Sequence, residues 1–153
     1  MTAREMTEEE ALSRLATLCS KAERCAYEMT EKMRRWGLSE DAQARVVCRL
    51  TKDRYIDNAR YARAFARDKA EYNKWGSMKI RMALRMKHID DDVIDEALSG
   101  IEDKSYEQTL RHLLEAKAKS VKASSDYERR QKLIRFALGR GFTYNIIERC
   151  LPE

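Results

Sequence analysis

Apolar residues recur along this chain at the three- and four-residue intervals that amphipathic helices require. Leu12, Leu15 and Leu18 form the first such stripe, and Ile80 and Leu84 belong to a later one. In all, nine stripes succeed one another, and no segment keeps the two-residue alternation of a β-strand for long enough to predict one. The pattern therefore predicts an all-α protein of nine helices.

Residues that favour helix starts and stops stand at the ends of these stripes. Gly37 is expected to end the second helix, and His88 is expected to close the fifth in a left-handed conformation. Residues of the types that cap helix N-termini precede most of the stripes, among them the five residues Thr7, Ser39, Asp57, Ser105 and Ser125. We predict that each of the five begins a helix.

The predicted helices repeat in groups of three. Leu38, Ile89 and Phe142 are large apolar residues, each followed directly by a residue of the N-cap type, and they are separated by 51 and 53 residues. Such a period is typical of repeat proteins whose small units lean on their neighbours. We therefore expect three tandem three-helix modules. The expected modules span residues 1–54, 55–102 and 103–153.

The composition agrees with the helical prediction, and the sequence also indicates where in the cell the protein is expected. Of the 153 residues, 37% are charged, one is proline and five are glycine, which favours exposed helices over sheets and turns. No run approaches 18 apolar residues, so no membrane span is expected. The N-terminal sequence is polar and acidic and has no apolar signal-peptide region, so we expect a cytoplasmic protein.

No catalytic or metal-binding motif is evident. No two cysteines are spaced as Cys-x-x-Cys, and His88 and His112 are far apart. The four cysteines are interpreted as small core residues with free thiols: Cys19, Cys25, Cys48 and Cys150. The run Asp90-Asp91-Asp92 is interpreted as a helix start. Because phosphate-loop, HExxH and GxSxG motifs are also missing, we expect no catalytic residue, no metal and no cofactor.

Positive charge is concentrated in the middle of the chain. The net charge is +5, but residues 52–88 carry eleven basic and four acidic side chains, and residues 89–125 carry a net charge of −4. Seven of the cations lie on or beside two regular helix faces: Arg60, Arg63, Arg67, Lys74, Lys79, Arg81 and Arg85. The planar guanidinium group suits phosphates and carboxylates. The alternative is a solvated face neutralised by acids, but the segment itself offers only four, so we predict a binding surface for an acidic partner.

Two further groups of residues are interpreted as packing. Six aromatic residues fall at core or turn positions: Tyr55, Tyr61, Phe65, Phe136, Phe142 and Tyr144. Met78, Met82 and Met86 recur at four-residue intervals, which is typical of an apolar seam between helices. Trp75 lies near a predicted turn, where stacking on single-stranded bases is an open alternative.

Four segments of the chain carry a familiar set of motifs: residues 24–38, 55–65, 75–84 and 130–142. The second reads Tyr55-Ile-Asp-Asn-Ala-Arg-Tyr-Ala-Arg-Ala-Phe65 and is the most distinctive, and the third places Gly76, Ile80 and Leu84 at four-residue intervals. Together they resemble the RecX family of bacterial recombination regulators. The resemblance extends from about residue 22 to residue 152. Gln43 departs from the family's pattern, which usually has an apolar residue there.

This resemblance implies both a shape and a function. The expected molecule is an elongated, curved row of three-helix modules. RecX-like proteins bind the RecA recombinase, above all its filament on single-stranded DNA, and they block filament growth or promote disassembly without being enzymes. The seven cations would then form the surface for RecA, together with weak DNA contact that is independent of sequence.

Two other hypotheses stay open at this point. Three-helix units resemble helix-turn-helix domains, so the basic centre of the chain could enter a DNA groove. Such a DNA-binding module would show sequence preference and would usually dimerise, whereas a filament regulator is expected to act as a monomer. The second hypothesis is a passive helical scaffold, which would neither bind DNA nor regulate a filament.

Overall fold

The structure is a computed structural model that describes residues 5–152. Within that range it contains nine α-helices and no β-strand, which confirms the all-α prediction. The helices are α1 (Glu8–Lys21), α2 (Ala26–Arg35), α3 (Glu40–Lys52), α4 (Asn58–Glu71), α5 (Ser77–Met86), α6 (Asp91–Ser99), α7 (Lys104–Ser120), α8 (Asp126–Gly139) and α9 (Tyr144–Cys150). Residues 1–4 and 153, which the expected first and third modules include, lie outside the described range.

Four of the five predicted N-caps are confirmed. A side-chain oxygen of each accepts a backbone N–H three residues later, at 3.0–3.2 Å: Thr7, Ser39, Asp57 and Ser125. The prediction for Ser105 is wrong, because the N-cap of α7 is Asp103, whose carboxylate accepts the Tyr106 N–H at 3.0 Å. A carboxylate at the positive end of a helix is a stronger acceptor than a hydroxyl, so the helix begins two residues earlier than expected.

Two unusual positions in the sequence have local explanations. His88 has a φ of 57° and closes α5 in the left-handed conformation, as predicted. Gln43 is buried in α3, where its side-chain Nε2 donates a hydrogen bond of 2.9 Å to the Leu38 carbonyl. The amide that departs from the apolar pattern is therefore partnered, which removes most of the cost of burying it.

Each group of three helices encloses its own hydrophobic cluster. The helices α1 and α2 pack against α3, α4–α6 pack against one another, and α7–α9 do the same. Fully buried members of the three clusters include Leu15 and Leu50, Ile80 and Leu84, and Leu110 and Ile147. We propose that the modules have the bounds expected from the sequence.

The row of modules is extended. A compact monomer of 18.0 kDa exposes about 8,000 Å² of surface, whereas this chain exposes 10,327 Å². The difference follows from packing that is concentrated within each group of three helices, which leaves the sides of the row open to solvent. Among the residues described, no helix is both long enough and apolar enough to cross a bilayer.

The first and middle modules are joined by side chains from both. Cys25, at the N-terminus of α2, is buried in the middle cluster, and Ile56 is buried in the first. Asn58 accepts the Ala26 backbone N–H at 3.0 Å through its side-chain oxygen. The first and middle modules therefore each place one apolar side chain in the core of the other.

The middle and third modules meet through backbone atoms. The Gly76 N–H donates to the Arg140 carbonyl at 2.7 Å, and the Met78 N–H donates to the Gly141 carbonyl at 2.8 Å. The buried Ser77 N–H donates to the Tyr106 hydroxyl at 2.9 Å. These three bonds fix the turn before α5 against the turn before α9 and against α7.

Candidate binding surface of the middle module

The predicted basic residues lie on α4, on α5 and in the turn between them. Since α4 buries Tyr61, Ala62 and Ala66, and α5 buries Ile80 and Leu84, each helix is anchored by one face. The remaining faces carry the cations. Five of the seven are exposed to solvent: Arg63, Arg67, Lys74, Lys79 and Arg85.

Arg60 is a structural residue at the junction of the first and middle modules. Its Nε lies 2.7 and 2.9 Å from the two carboxylate oxygens of Glu23, and its Nη2 donates to the carbonyls of Arg54 and Tyr55 at 3.2 and 3.3 Å. The hydrogen bond to Glu23 raises the pKa of Arg60 above its usual value. Its guanidinium is thus committed to partners within the chain.

Three more of the arginines have carboxylate partners on α6. Arg63 lies 3.7 Å from Glu96. Arg81 and Arg85 are held more closely, at 2.7 Å from Asp95 and 3.0 Å from Asp91. The argument that residues 52–88 lack acids to neutralise them is therefore wrong. The acids come from the next segment of the chain, which folds back beside α4 and α5.

The other three candidate cations form no ion pair with any residue that the structure describes. Arg67 and Lys74 line a cleft of about 280 Å³ between α4 and the start of α7, together with the hydroxyl-bearing Ser105 and Thr109. The Lys74 ammonium donates to the Glu71 carbonyl at 2.5 Å. The acidic residues Glu71 and Asp103 also line the cleft, and neither forms an ion pair with Arg67 or Lys74. Lys79 stands outside this cleft.

Trp75 organises the turn between α4 and α5. The Lys79 and Lys69 ammonium groups lie 4.7 and 5.0 Å from its ring centroid, and Phe65 meets the ring edge-on at a centroid distance of 6.4 Å. Such cation–π contacts stabilise the turn. With two lysines already at the ring, Trp75 is better explained as an anchor than as a platform for nucleic-acid bases.

The methionines of α5 do not form a seam. The side chains of Met78, Met82 and Met86 are 44%, 63% and 75% exposed. The interpretation as a packed seam is wrong because α5 contacts its module through Ile80 and Leu84, on the opposite side of the helix. The middle module therefore presents an apolar stripe as well as cations.

The interpretation of the six aromatic residues and the four cysteines as packing residues holds only in part. Tyr61 and Phe142 are buried as predicted, but Tyr55 and Tyr144 are exposed. All four cysteines are free thiols, yet only Cys25 and Cys150 are buried; Cys19 is half-buried and Cys48 is exposed on α3. Helical periodicity alone misplaces Cys48, which lies next to the stripe that faces the core.

Two observations bear on metal binding and on the reactivity of the thiols. Among the described residues, no three histidine, cysteine or carboxylate side chains are grouped so that they could hold a metal ion. The buried cysteines have pKa values raised by desolvation, to about 11 for Cys25, which disfavours the nucleophilic thiolate.

Comparison with known proteins places this row of three-helix domains in a family. The sequence model described as RecX, second three-helix domain, matches residues 57–98, and that of RecX, third three-helix domain, matches residues 105–151. Together the two matches cover more than half of the chain. The chain therefore belongs to the RecX family.

Individual relatives agree with this assignment. The chain is 31% identical over 128 residues to the regulatory protein RecX of Clostridium botulinum (strain Eklund 17B / Type B), which covers 82% of this chain and 59% of the relative. It is 29% identical over 147 residues to RecX of Clostridium acetobutylicum, covering 94% and 68%. The chain spans 49–59% of the length of the first four relatives.

A solved structure shows the same fold. The crystal structure of RecX from Lactobacillus salivarius matches with a TM-score of 0.85 over 94% of this chain and 93% of that one, at 24% sequence identity. The helical architecture is thus shared along nearly the whole of both chains.

Proposed function

We propose that this protein is a non-enzymatic, monomeric cytoplasmic regulator that binds the RecA recombinase and its filament on single-stranded DNA. Binding would inhibit filament growth or promote disassembly, and so would damp recombination and the DNA-damage response. The observation that carries the proposal is the match of residues 57–98 and 105–151 to two RecX domains, because the named relatives are regulatory proteins.

The shape and surface of the chain support this proposal. An extended row of modules can lie along a filament and contact more than one subunit of it. The cleft between the middle and third modules places Arg67 and Lys74 beside the Ser105 and Thr109 hydroxyls, and neither cation has an ion-pair partner among the described residues. Cations without an ion pair suit a phosphate or a carboxylate, and the Ser105 hydroxyl can donate to the same group. The Thr109 hydroxyl already donates to the Ser105 carbonyl at 2.9 Å.

The seven basic candidates would contribute unequally. We propose Arg67, Lys74 and Lys79 as the primary contacts, since none of the three forms an ion pair with an acid that the structure describes. Arg63 and Arg85 would exchange exposed, weak ion pairs for contacts with the partner. Arg60 and Arg81 would serve chiefly to hold the surface in place.

Binding to assembled filaments tests the proposal. RecA filaments formed on an oligo(dT) strand with a slowly hydrolysed ATP analogue are sedimented with this protein. We expect it to sediment with the filaments, and only weakly with the oligonucleotide alone. Failure to sediment with RecA would overturn the proposal. Dimeric binding to one preferred duplex sequence would instead support the helix-turn-helix alternative.

A further inference from the structure

The helix α5 is apolar on two opposite sides. Ile80 and Leu84 are completely buried on the inner side, whereas Met78, Met82 and Met86 are exposed on the outer side. Because a helix rises 1.5 Å per residue, the three methionines extend over about 12 Å of its surface. We call these three residues the methionine stripe.

A contiguous apolar stripe of this kind is unusual on so polar a chain. Exposed apolar residues are ordinary when they are scattered, but a continuous group marks a site of interaction. Elsewhere in the same chain, Met29 and Met33 are fully buried in the first module's core. The methionines of α5 therefore differ from those that serve in packing.

Charge along the edges of the stripe restricts the partner. The helix α5 contains three cations and no acidic residue. By helical periodicity Lys79 flanks one edge of the stripe and Arg85 flanks the other. Arg81 lies beyond Arg85, where it is only 22% exposed and paired with Asp95, so it is not available to a partner. Arg85 keeps 54% of its side chain exposed even in its ion pair with Asp91.

We infer that the methionine stripe is a docking face for a partner protein whose own surface is an apolar patch edged by carboxylates. The inference rests on the proposed function, in which that partner is RecA. Methionine side chains are flexible and polarisable, so they adapt to apolar surfaces that are not perfectly complementary. The stripe would supply apolar contact, and its cationic edges would orient the partner.

Two triple variants separate the apolar contribution from the shape of the helix. M78Q/M82Q/M86Q makes the stripe polar while keeping side chains of similar length and helix propensity. M78L/M82L/M86L is the matched control, since it alters the same positions and keeps them apolar. Because all three residues are exposed, both variants are expected to retain the wild-type helical circular dichroism and melting temperature.

The measurement is the affinity of each variant for RecA filaments on oligo(dT), with the oligonucleotide alone and vesicles of phosphatidylglycerol as parallel probes. We expect the glutamine variant to bind filaments at least tenfold more weakly than wild type. The leucine variant should bind within twofold of wild type. Oligonucleotide binding should be the same for all three proteins.

The outcomes distinguish this inference from the proposed function. If wild type binds filaments and the glutamine variant binds equally well, the docking face is wrong while the proposed function stands. If wild type does not bind RecA at all, both are overturned. A glutamine variant that loses only oligonucleotide or vesicle binding would assign the stripe to nucleic acid or to a membrane surface, and would overturn the protein partner.

Discussion

Gly76 and Gly141 bring the backbones of the middle and third modules into direct contact. A Cβ on Gly76 would overlap the backbone of Gly141 and of Phe142, and a Cβ on Gly141 would overlap Lys79. Gly141 also has a φ of 97°, in the left-handed region that favours glycine. The two turns can therefore approach closely enough to hydrogen-bond only because neither residue has a side chain.

This contact predicts a strong effect of one added methyl group. Gly76→Ala should lower the free energy of unfolding by about 2 kcal/mol, because overlap with the facing backbone cannot be relieved by a rotamer change. Gly139→Ala is the matched control, since a Cβ there would meet nothing within 4 Å. Urea unfolding followed by circular dichroism measures both. Equal stability of the two variants would show that the junction is not closely packed.

The junction between the first and middle modules depends on Arg60 and Glu23. A double-mutant cycle with Arg60→Ala and Glu23→Ala should give a coupling free energy of about 0.5–1 kcal/mol, the range of well-ordered surface pairs. The same cycle on Arg63 and Glu96, which are 3.7 Å apart and more exposed, should give a coupling near zero. A coupling as small for the first pair as for the second would contradict the structural role of Arg60.

Glu128, at the start of α8, predicts a pH dependence. Hydrogen bonds from the Ser124 hydroxyl and from Lys132 lower its pKa from 4.5 to about 2. A lowered pKa in the folded state stabilises the protein above the unfolded-state value and loses that contribution as pH falls toward 2. Glu128→Gln should therefore be less stable than wild type at pH 6, and the difference should shrink between pH 4.5 and pH 2.

The test of this dependence is chemical unfolding of the two proteins across that pH range. Glu115→Gln is the control, because Glu115 is exposed in the middle of α7 and no described contact holds its carboxylate. The stability of Glu115→Gln should differ little from that of wild type at any pH. A stability difference for Glu128→Gln that is independent of pH would contradict the lowered pKa.

The thiols should react in the order of their exposure. Cys48 is exposed, whereas burial raises the pKa of Cys25 to about 11 and also raises that of Cys19 and Cys150. With a disulfide reagent at pH 8 we expect one fast thiol, absent from Cys48→Ser and retained in Cys25→Ser. A fast phase that persists in Cys48→Ser would contradict the placement of Cys48 on the solvent side of α3.

Local features of the fold could be predicted from the sequence. The N-caps at Ser39 and Asp57 and the left-handed His88 depend on residues within one turn of the helix, so residue type and spacing are sufficient to find them. The prediction for the start of α7 is wrong because two cap-forming residues, Asp103 and Ser105, lie close together. Which of the two residues caps the helix depends on how strongly each side chain accepts a hydrogen bond from the backbone, and residue type and spacing do not decide this.

The features that define the candidate surface depend on tertiary contacts. The acids that neutralise Arg81 and Arg85 come from α6, and their approach depends on how the three helices of the module close. Gly76 and Gly141 are 65 residues apart, and nothing in their local sequence indicates that they touch. A methionine every fourth residue fits a buried seam and an exposed stripe equally well, so only the fold distinguishes them.

The most direct test of the account is the rate of ATP hydrolysis by RecA on single-stranded DNA as this protein is added. We expect hydrolysis to fall with increasing protein, and Arg67→Glu/Lys74→Glu to require at least tenfold more protein for the same inhibition. Lys119→Glu/Lys122→Glu makes the same change in net charge, from +5 to +1, on the third module, and should inhibit like wild type. Hydrolysis that is unchanged by saturating wild-type protein would contradict the account.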